Sequence, residues 1–449
     1  MRFITILPAL LAAAAAPAQQ VPPAPVPQAV TGAPSPALAA RAAELLPILN
    51  GGGTPAQTFA PAFLAAVPEA QVRALSAQLT GSLGNAVSVA SVVPAGAAGQ
   101  AIVTVRYDHG TVRFGLAVAP TPPAQVVGLR ILGVLPDGAA ETTMPAVLAA
   151  FRALPGQVSV ALADLGTGAP QLVQGIAPDR PLALGSAFKL VILAELVRAV
   201  EAGQRRWDDV VTLDGTERPA GGFNQKPKGT QVTIRELARQ MISVSDNSAT
   251  DILLDKLGRE RVEAMQATIG IADPARNRPF LSTMEAFKLK GVGGGALGTR
   301  YLAATPAGRR ALLAGEVART PGSAIGPLFA DGKPVRIGEL EWFASPADLA
   351  RIMDWLRRHT ESGPAAEART ILSINAGVGP DVAGRFAYVG YKGGSEPGVL
   401  NLTLLLRTKA GQWRVLTAGW NDPAAPVDEG RFVALVRRAA ELAADTPAH

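Results

Sequence analysis

The chain has 449 residues, no cysteine, three histidines (His109, His359 and the terminal His449) and a formal charge of +6. These counts exclude disulfides, thiol nucleophiles, cysteine-based zinc or iron–sulfur sites and a histidine-rich metal centre. With 48% hydrophobic and 17% charged residues the chain can bury a large core, and with 5% aromatics and no basic block it lacks the stripe of a nucleic-acid binder.

The opening MRFITILPALLAAAAAPAQQ carries Arg2, an apolar run from Phe3 to Ala13 and the small-residue signal Ala16-Pro17-Ala18. This reads as a secretory signal peptide, residues 1–18, cleaved after Ala18, which makes the protein secreted or periplasmic. The run is too short to span a bilayer, which needs ~20 residues. Residues 19–36, rich in Pro, Ala and Gln, read as a disordered linker. Helical patterns follow over Ala37–Leu49, Ala56–Val67 and Glu69–Leu83. Strand patterns then cover Ala86–Val93, Gln100–Tyr107, Val112–Ala119 and Gln125–Val134, with Asp108-His109-Gly110 as a hairpin turn. Together they predict a small α+β domain over 37–136.

The remaining 137–449 read as a second α+β domain. A helix over Thr143–Leu154 precedes strands Gln157–Asp164 and Gln171–Ile176. Ser186 to about Lys333 is mostly helical in pattern, and Pro346–Arg358 is another helix. Strands Arg385–Val389, Asn401–Thr408 and Arg414–Trp420 come next, and the amphipathic helix Asp428–Ala444 ends the chain. The simplest arrangement joins the early and late strands into one antiparallel sheet. No internal repeat of 20–50 residues is visible.

Three short motifs carry candidate chemistry. Ser186-Ala187-Phe188-Lys189 opens a helix whose continuation is apolar nearly all round. Ser at i and Lys at i+3 share a helix face, and burial lowers a lysine's pKa until it can accept a serine proton. The helix start also offers the Ser186 amide to a developing oxyanion. Ser245-Asp246-Asn247 lies at a helix-to-loop joint. Lys392-Gly393-Gly394-Ser395 follows the strand Arg385–Val389, where taken alone it reads as a turn.

Taken together, in this order, S-x-x-K, S-D-N and a K-T-G-like element resemble the serine β-lactamase and penicillin-binding-protein superfamily over about residues 140–445. The resemblance implies a β-lactamase/transpeptidase-like domain, a five-stranded antiparallel sheet with a helical block. Ser186 is then the acylated nucleophile and Lys189 its proton acceptor, directly or through a water. Ser245 relays a proton to the leaving nitrogen, and Asn247 contacts the substrate's amide side chain. Lys392 binds the substrate carboxylate, with Gly393, Gly394 and Ser395 beside it as substrate-binding residues, and the amides of Ser186 and Ser395 form the oxyanion hole.

Two departures matter. Gly393 replaces the threonine of K-T-G, removing a hydroxyl donor, although Ser395 offers one two positions on. The E-x-x-L-N loop that class A β-lactamases use for deacylation is absent, and the corresponding stretch runs from Arg278 to Lys288. Glu285 in that stretch has two readings: a water-activating deacylation base, or the acid of an S-x-x-E capping box with Ser282. The small domain ahead of the hydrolase domain is similar in layout to the two-domain β-lactamase-like proteins of clavulanic-acid biosynthesis. That similarity implies a cystatin/steroid-isomerase-like fold for 37–136 and favours esterase chemistry over antibiotic resistance.

Gly293, Gly295 and Gly298 spell GxGxxG with no preceding strand and read as a loop. Trp342 and Phe343 read as core, and Glu339 and Glu341 as reserve acids near the site. The expectation is an exported serine hydrolase of class A β-lactamase type, acting on β-lactams, needing no cofactor or metal. The alternatives are an esterase, a cell-wall D,D-peptidase, or a penicillin-binding protein that does not turn over. The expected partner is a small-molecule substrate (a β-lactam, an ester or a peptidoglycan-like peptide), with neither nucleic acid nor a membrane span.

Overall fold

The computed structural model describes residues 33–95, 99–137 and 140–445. The expected signal peptide, nearly all of the expected linker and His449 lie outside the described residues. The chain divides into two units. One holds residues up to Ala139 with Glu429–Ala434, and the other holds Ala140–Asp428 and the chain from Leu435 onward.

The first unit has helices α1 (Pro36–Leu49), α2 (Pro55–Thr58), α3 (Pro61–Ala66) and α4 (Glu69–Leu83). Strands β1 (Ala86–Pro94), β2 (Gln100–Tyr107), β3 (Gly110–Val118) and β4 (Val126–Pro136) form an antiparallel meander in that order. Leu45, Leu79, Val103, Val105 and Phe114 are fully buried in its core. His109 occupies the β2–β3 turn. The single helix expected over Ala56–Val67 is broken into α2 and α3. Pro61 biases the residue before it away from helical backbone, and Ala60 is accordingly extended (φ −63°, ψ 147°), while Phe59 bridges to Val126.

The second unit begins with α5 (Met144–Arg152), β5 (Gln157–Leu165), β6 (Gln171–Ile176) and β7 (Leu182–Ala183). A helical block follows: α6 (Lys189–Glu201), a short hairpin of β8 (Val210–Thr212) and β9 (Gln231–Thr233), α7 (Ile234–Ser243), α8 (Asn247–Leu257), α9 (Arg259–Ile269), α10 (Thr283–Gly291), α11 (Ala296–Ala303) and α12 (Pro306–Leu312). Then come β10 (Phe343–Ala344), α13 (Pro346–His359), α14 (Glu367–Ser373), α15 (Gly379–Ala383), β11 (Phe386–Glu396), β12 (Val399–Thr408), β13 (Trp413–Asn421) and α16 (Glu429–Asp445), whose first six residues group with the first unit.

The main sheet is antiparallel throughout, in the order β11-β12-β13-β5-β6. It is the five-stranded sheet expected from the joined early and late strands. Across its middle, Arg414 pairs with Asp164 at 2.8 Å with both side chains buried. Helix α6 is buried along almost its whole length, which accounts for the absence of a polar stripe in its sequence.

Two expectations are corrected. Lys392–Ser395 is no turn. Strand β11 runs through it to Glu396, with Lys392 opposite Thr403 and Ser395 opposite Leu400. Its glycines have low strand propensity, but pairing with β12 overrides that. The GxGxxG stretch is likewise no open loop. Gly293–Gly295 makes one tight turn and Gly298 lies inside α11, where a Cβ would overlap Leu289 O of α10, so the glycine permits close helix packing. No helix among the described residues is long and apolar enough to cross a membrane.

Candidate active site

The site is built around the start of α6. A 3₁₀ turn over Gly185–Phe188 carries Ser186 and feeds straight into Lys189. Under this turn Phe188 stacks on Trp342, with centroids 3.7 Å apart and planes at 12°, and Trp342 donates to Leu281 O at 3.1 Å. Trp342 and Phe343 are therefore core, and they hold the Ser186 turn from below.

Strand β11 lies against the same turn. Gly185 has φ +49°, and a Cβ there would stand 2.8 Å from Ser395 N. A Cβ on Gly394 would overlap Leu184 O and Ser186 N and lie 2.6 Å from Ala187 N. Glycine at both positions lets the backbones holding the Ser186 and Ser395 amides come into contact. Two amides at one edge are what a developing oxyanion requires.

Lys189 is fully buried. Its Nζ lies 3.2 Å from Ser186 Oγ, 3.1 Å from Ser245 Oγ, 2.6 Å from Ser245 O and 2.7 Å from Asn247 Oδ1. Burial pulls its pKa down from 10.5 to about 7, against the raising charges of Asp251 and Asp246. Near neutral pH it is thus available both as an amine and as an ammonium, the condition for general base work.

The S-D-N loop is shaped by its middle residue. Asp246 caps α8, accepting from Ala249 N at 2.7 Å and Ser248 Oγ at 2.6 Å, and also accepts from Gly222 N. Ser245 takes a left-handed backbone, φ +61°, which turns its hydroxyl toward the lysines. Lys392, 3% exposed, donates to Ser245 Oγ at 3.0 Å and to Gly393 O at 2.6 Å. Burial first, and then the neighbouring Lys189, push the Lys392 pKa well down. A hydroxyl that accepts from two amines keeps its own proton to donate elsewhere.

The structure thus gathers Ser186, Lys189, Ser245, Asn247, Lys392, Gly394 and the Ser395 backbone. The Ser395 side chain is exposed. Glu285 is engaged elsewhere. Its Oε2 accepts from Ser282 N at 2.8 Å and Arg259 Nη1 at 2.9 Å, and its Oε1 accepts from Arg259 Nη2 at 2.7 Å. The capping box with Ser282 is present in full. Of the two reserve acids, Glu339 pairs with Arg336 near the surface, and Glu341 pairs with buried Lys290.

Sequence reasoning missed three features. Asp251, buried on α8, accepts from Thr283 N at 2.7 Å and Met284 N at 2.9 Å and so ties α8 to the start of α10. Lys290 joins Glu341 (2.5 Å) and Glu396 (2.6 Å) in a buried trio that links α10 to the end of β11. Tyr391 packs over Gly393. Only Tyr391, adjacent to Lys392, offered a signal in the sequence.

Residues 140–372, just over half of the chain, match the model of the β-lactamase enzyme family (Beta-lactamase2). The chain belongs to this β-lactamase family. Its second unit has the β-lactamase-like fold expected for a serine hydrolase of the family. Among solved structures, a β-lactamase from Sphaerobacter thermophilus is similar at 22% identity, covering 67% of this chain and 94% of that one, with a TM-score of 0.46. A β-lactamase from Chitinophaga pinensis is similar at 16%, covering 68% and 99%, with a TM-score of 0.46. PBP-A is similar at 18%, covering 69% and 97%, with a TM-score of 0.45. No curated protein matches the sequence.

Proposed function

We propose that this β-lactamase-family chain is an exported serine hydrolase in which Ser186 attacks an amide or ester carbonyl, with β-lactams as the leading substrate class. One observation carries the reading: the buried Lys189 amine, with a pKa of about 7, lies 3.2 Å from Ser186 Oγ. Lys189 takes the Ser186 proton as the Oγ–carbonyl bond forms. The Ser186 and Ser395 amides bind the resulting oxyanion. As the C–N bond breaks, the Ser245 proton passes to the leaving nitrogen and Lys189 hands the proton it took from Ser186 to Ser245 Oγ, 3.1 Å away, while Lys392 holds that oxygen in place. Asn247 and Lys392 flank the substrate. The N-terminal signature supports export, which fractionation of cells expressing the full chain checks.

The test is a chromogenic cephalosporin assay combined with intact mass measurement. Turnover with a transient adduct on Ser186 is expected, and turnover that survives Ser186→Ala would sink the mechanism.

A second reading is that acylation outruns deacylation, so that the protein behaves as a penicillin-binding protein or a slow esterase. The hydrogen bonds of Glu285 favour it, because both carboxylate oxygens are already committed to Arg259 or Ser282. In the register of E-x-x-L-N, Arg278-Pro279-Phe280-Leu281-Ser282 keeps Leu281 but puts exposed Arg278 and half-buried Ser282 where Glu and Asn stand. A stable mass adduct without turnover is its signature.

A further inference from the structure

We propose that Lys290, Glu341 and Glu396 form a clamp that sets the spacing between the Ser186 turn and the Ser395 end of β11, which makes Glu396 a positioning residue for acylation. This rests on the reading that Ser186 is acylated and concerns what holds the two oxyanion amides at their working distance.

Two chain segments must stay in place for the amides of Ser186 and Ser395 to serve one oxygen. The first leads into the Ser186 turn. Strand β7 pairs with β10, Leu182 opposite Ala344 and Ala183 opposite Phe343, and Leu184 N donates to Trp342 O at 2.9 Å. Glu341 is the residue before Trp342. The second segment is the end of β11, where Glu396 is the residue after Ser395. Each carboxylate is therefore one residue away from a backbone that touches the Ser186 turn.

Lys290, near the end of α10, bridges the two. Its Nζ lies 2.5 Å from Glu341 Oε1, 2.6 Å from Glu396 Oε1 and 2.7 Å from Glu396 Oε2. The side chains of Lys290, Glu341 and Glu396 are 1%, 2% and 9% exposed. The Phe329 ring stands beside the ammonium, its centroid 5.7 Å from Nζ. Charge-assisted hydrogen bonds in such surroundings are short and strong, so the distance between the two segments is held stiffly.

Two carboxylates against one ammonium leave a surplus negative charge, which burial disfavours. A proton held between Glu341 and Glu396 removes it. Glu341 Oε2 is buried and lacks a donor. The Glu396 carboxyl, which burial holds in its protonated form, supplies that donor. Lys290 then donates to both acids and Glu396 donates to Glu341. Every polar group of the trio is spent inside it, so its influence on the chemistry passes through the two backbones.

Glu396→Ala cuts the link to β11 and leaves the Lys290–Glu341 pair, whereas Glu396→Gln keeps an acceptor for Lys290 and a donor for Glu341. In Glu396→Ala, single-turnover acylation by a chromogenic cephalosporin should slow roughly tenfold or more at an unchanged half-saturating concentration, because a small misplacement at a reacting centre costs up to about 10²-fold. Affinity for phenylboronic acid, whose adduct on Ser186 carries a tetrahedral centre, should fall by the same factor. Glu396→Gln should stay within about twofold of the wild type on both measures. Arg357→Ala, which strands buried Asp354 near the far end of α13, should lower stability and leave both measures unchanged. A Glu396→Ala protein equal to the wild type, a Glu396→Gln protein as slow as Glu396→Ala, or an equal loss in Arg357→Ala would overturn the clamp. If Glu396→Ala does not fold, Lys290→Met combined with Glu341→Gln and Glu396→Gln, which leaves no charge to strand, takes its place under the same expectation. Hydrogen exchange over residues 184–188 and 393–396, faster in Glu396→Ala and unchanged in Arg357→Ala, reads the clamp with no substrate present. Absence of any Ser186 adduct in the wild type, with that exchange pattern intact, would instead overturn the nucleophile and leave the clamp standing.

Discussion

Ser245 Oγ sits between two amines, 3.1 Å from Lys189 Nζ and 3.0 Å from Lys392 Nζ. Two ammonium groups sharing one oxygen in a buried site would repel, so the pocket favours states in which at least one is neutral. Burial lowers both lysine pKa values, and at Lys392 the charge of Lys189 lowers it further. Acylation should need neutral Lys189, so its rate should rise with pH through about 7 and level off above it. Asp251 is the foremost of the charges holding that value up. Asp251→Asn should therefore move the midpoint lower, measured as a pH profile of single-turnover acylation. A rate independent of pH from 5 to 9 would count against Lys189 as the base.

Burying Lys189 also has a stability consequence. Its folded pKa of about 7 lies below the ordinary 10.5, so between those values the unfolded chain binds the extra proton. Its contribution to stability is unfavourable below about pH 7 and is relieved as pH rises toward 10.5. Lys189→Met should lose acylation by at least ~10²-fold, the lower range for general base catalysis. It should nevertheless unfold at an equal or higher temperature at pH 7, and the gap to wild type should narrow as pH rises from 7 to 10. Thermal melts at several pH values check this.

The left-handed backbone of Ser245 separates two variants that look alike on paper. Ser245→Gly and Ser245→Ala both remove the hydroxyl, and each should slow acylation by ~10²-fold or more. Glycine fits φ +61° without strain, whereas alanine pays about 1–2 kcal/mol there. Denaturant unfolding should therefore rank glycine above alanine despite glycine's extra freedom in the unfolded state.

Glu285 is expected to act on folding alone. Glu285→Gln should leave the deacylation half-life of a cephalosporin adduct unchanged and cost about 1–2 kcal/mol of stability through the weakened cap and Arg259 contact. Arg259→Ala should show the same pattern, and adduct decay followed by mass spectrometry decides it. A deacylation rate that falls by tenfold in Glu285→Gln would restore the residue as the base.

Lys290→Met would strand two carboxylates in the interior. Burial, with Glu341 close by, already holds the Glu396 pKa well above the usual carboxylate range, against the pull of Lys290. Removing the cation should destabilise the unit by about 3–5 kcal/mol, the usual consequence of breaking a buried pair. Adding Glu341→Gln and Glu396→Gln should recover much of that loss in urea unfolding.

These predictions draw unevenly on what the residues reveal in linear order. The alternating strands and apolar helices were legible because periodicity reports burial directly, as in β12 and α6. Ser186, Lys189, Ser245, Asn247 and Lys392 were legible as motifs because each group is local. Pro61 was visible, yet its break in the helix also depended on Phe59 finding Val126 across the unit. The far end of strand β11 is hidden in the sequence because Gly393 and Gly394 look like a turn until β12 is placed beside them. The Lys290, Glu341 and Glu396 trio lies between distant segments, and no local pattern announces it.

The central pairing of β13 with β5 has a consequence for biosynthesis. Arg414 and Asp164 are 250 positions apart, so the middle of the sheet closes only after nearly the whole chain exists. Such long-range pairing is slow to form and leaves strand edges unpaired in the meantime. A chain terminated before Trp413 would contain Ser186, Lys189, Ser245 and Lys392 and still lack the strand that joins β5 to β12 and β11. For this protein, the framework that holds Ser186 against Lys392 exists only once the polypeptide is nearly complete, and a nascent or truncated form carries the motif residues without the sheet that aligns them.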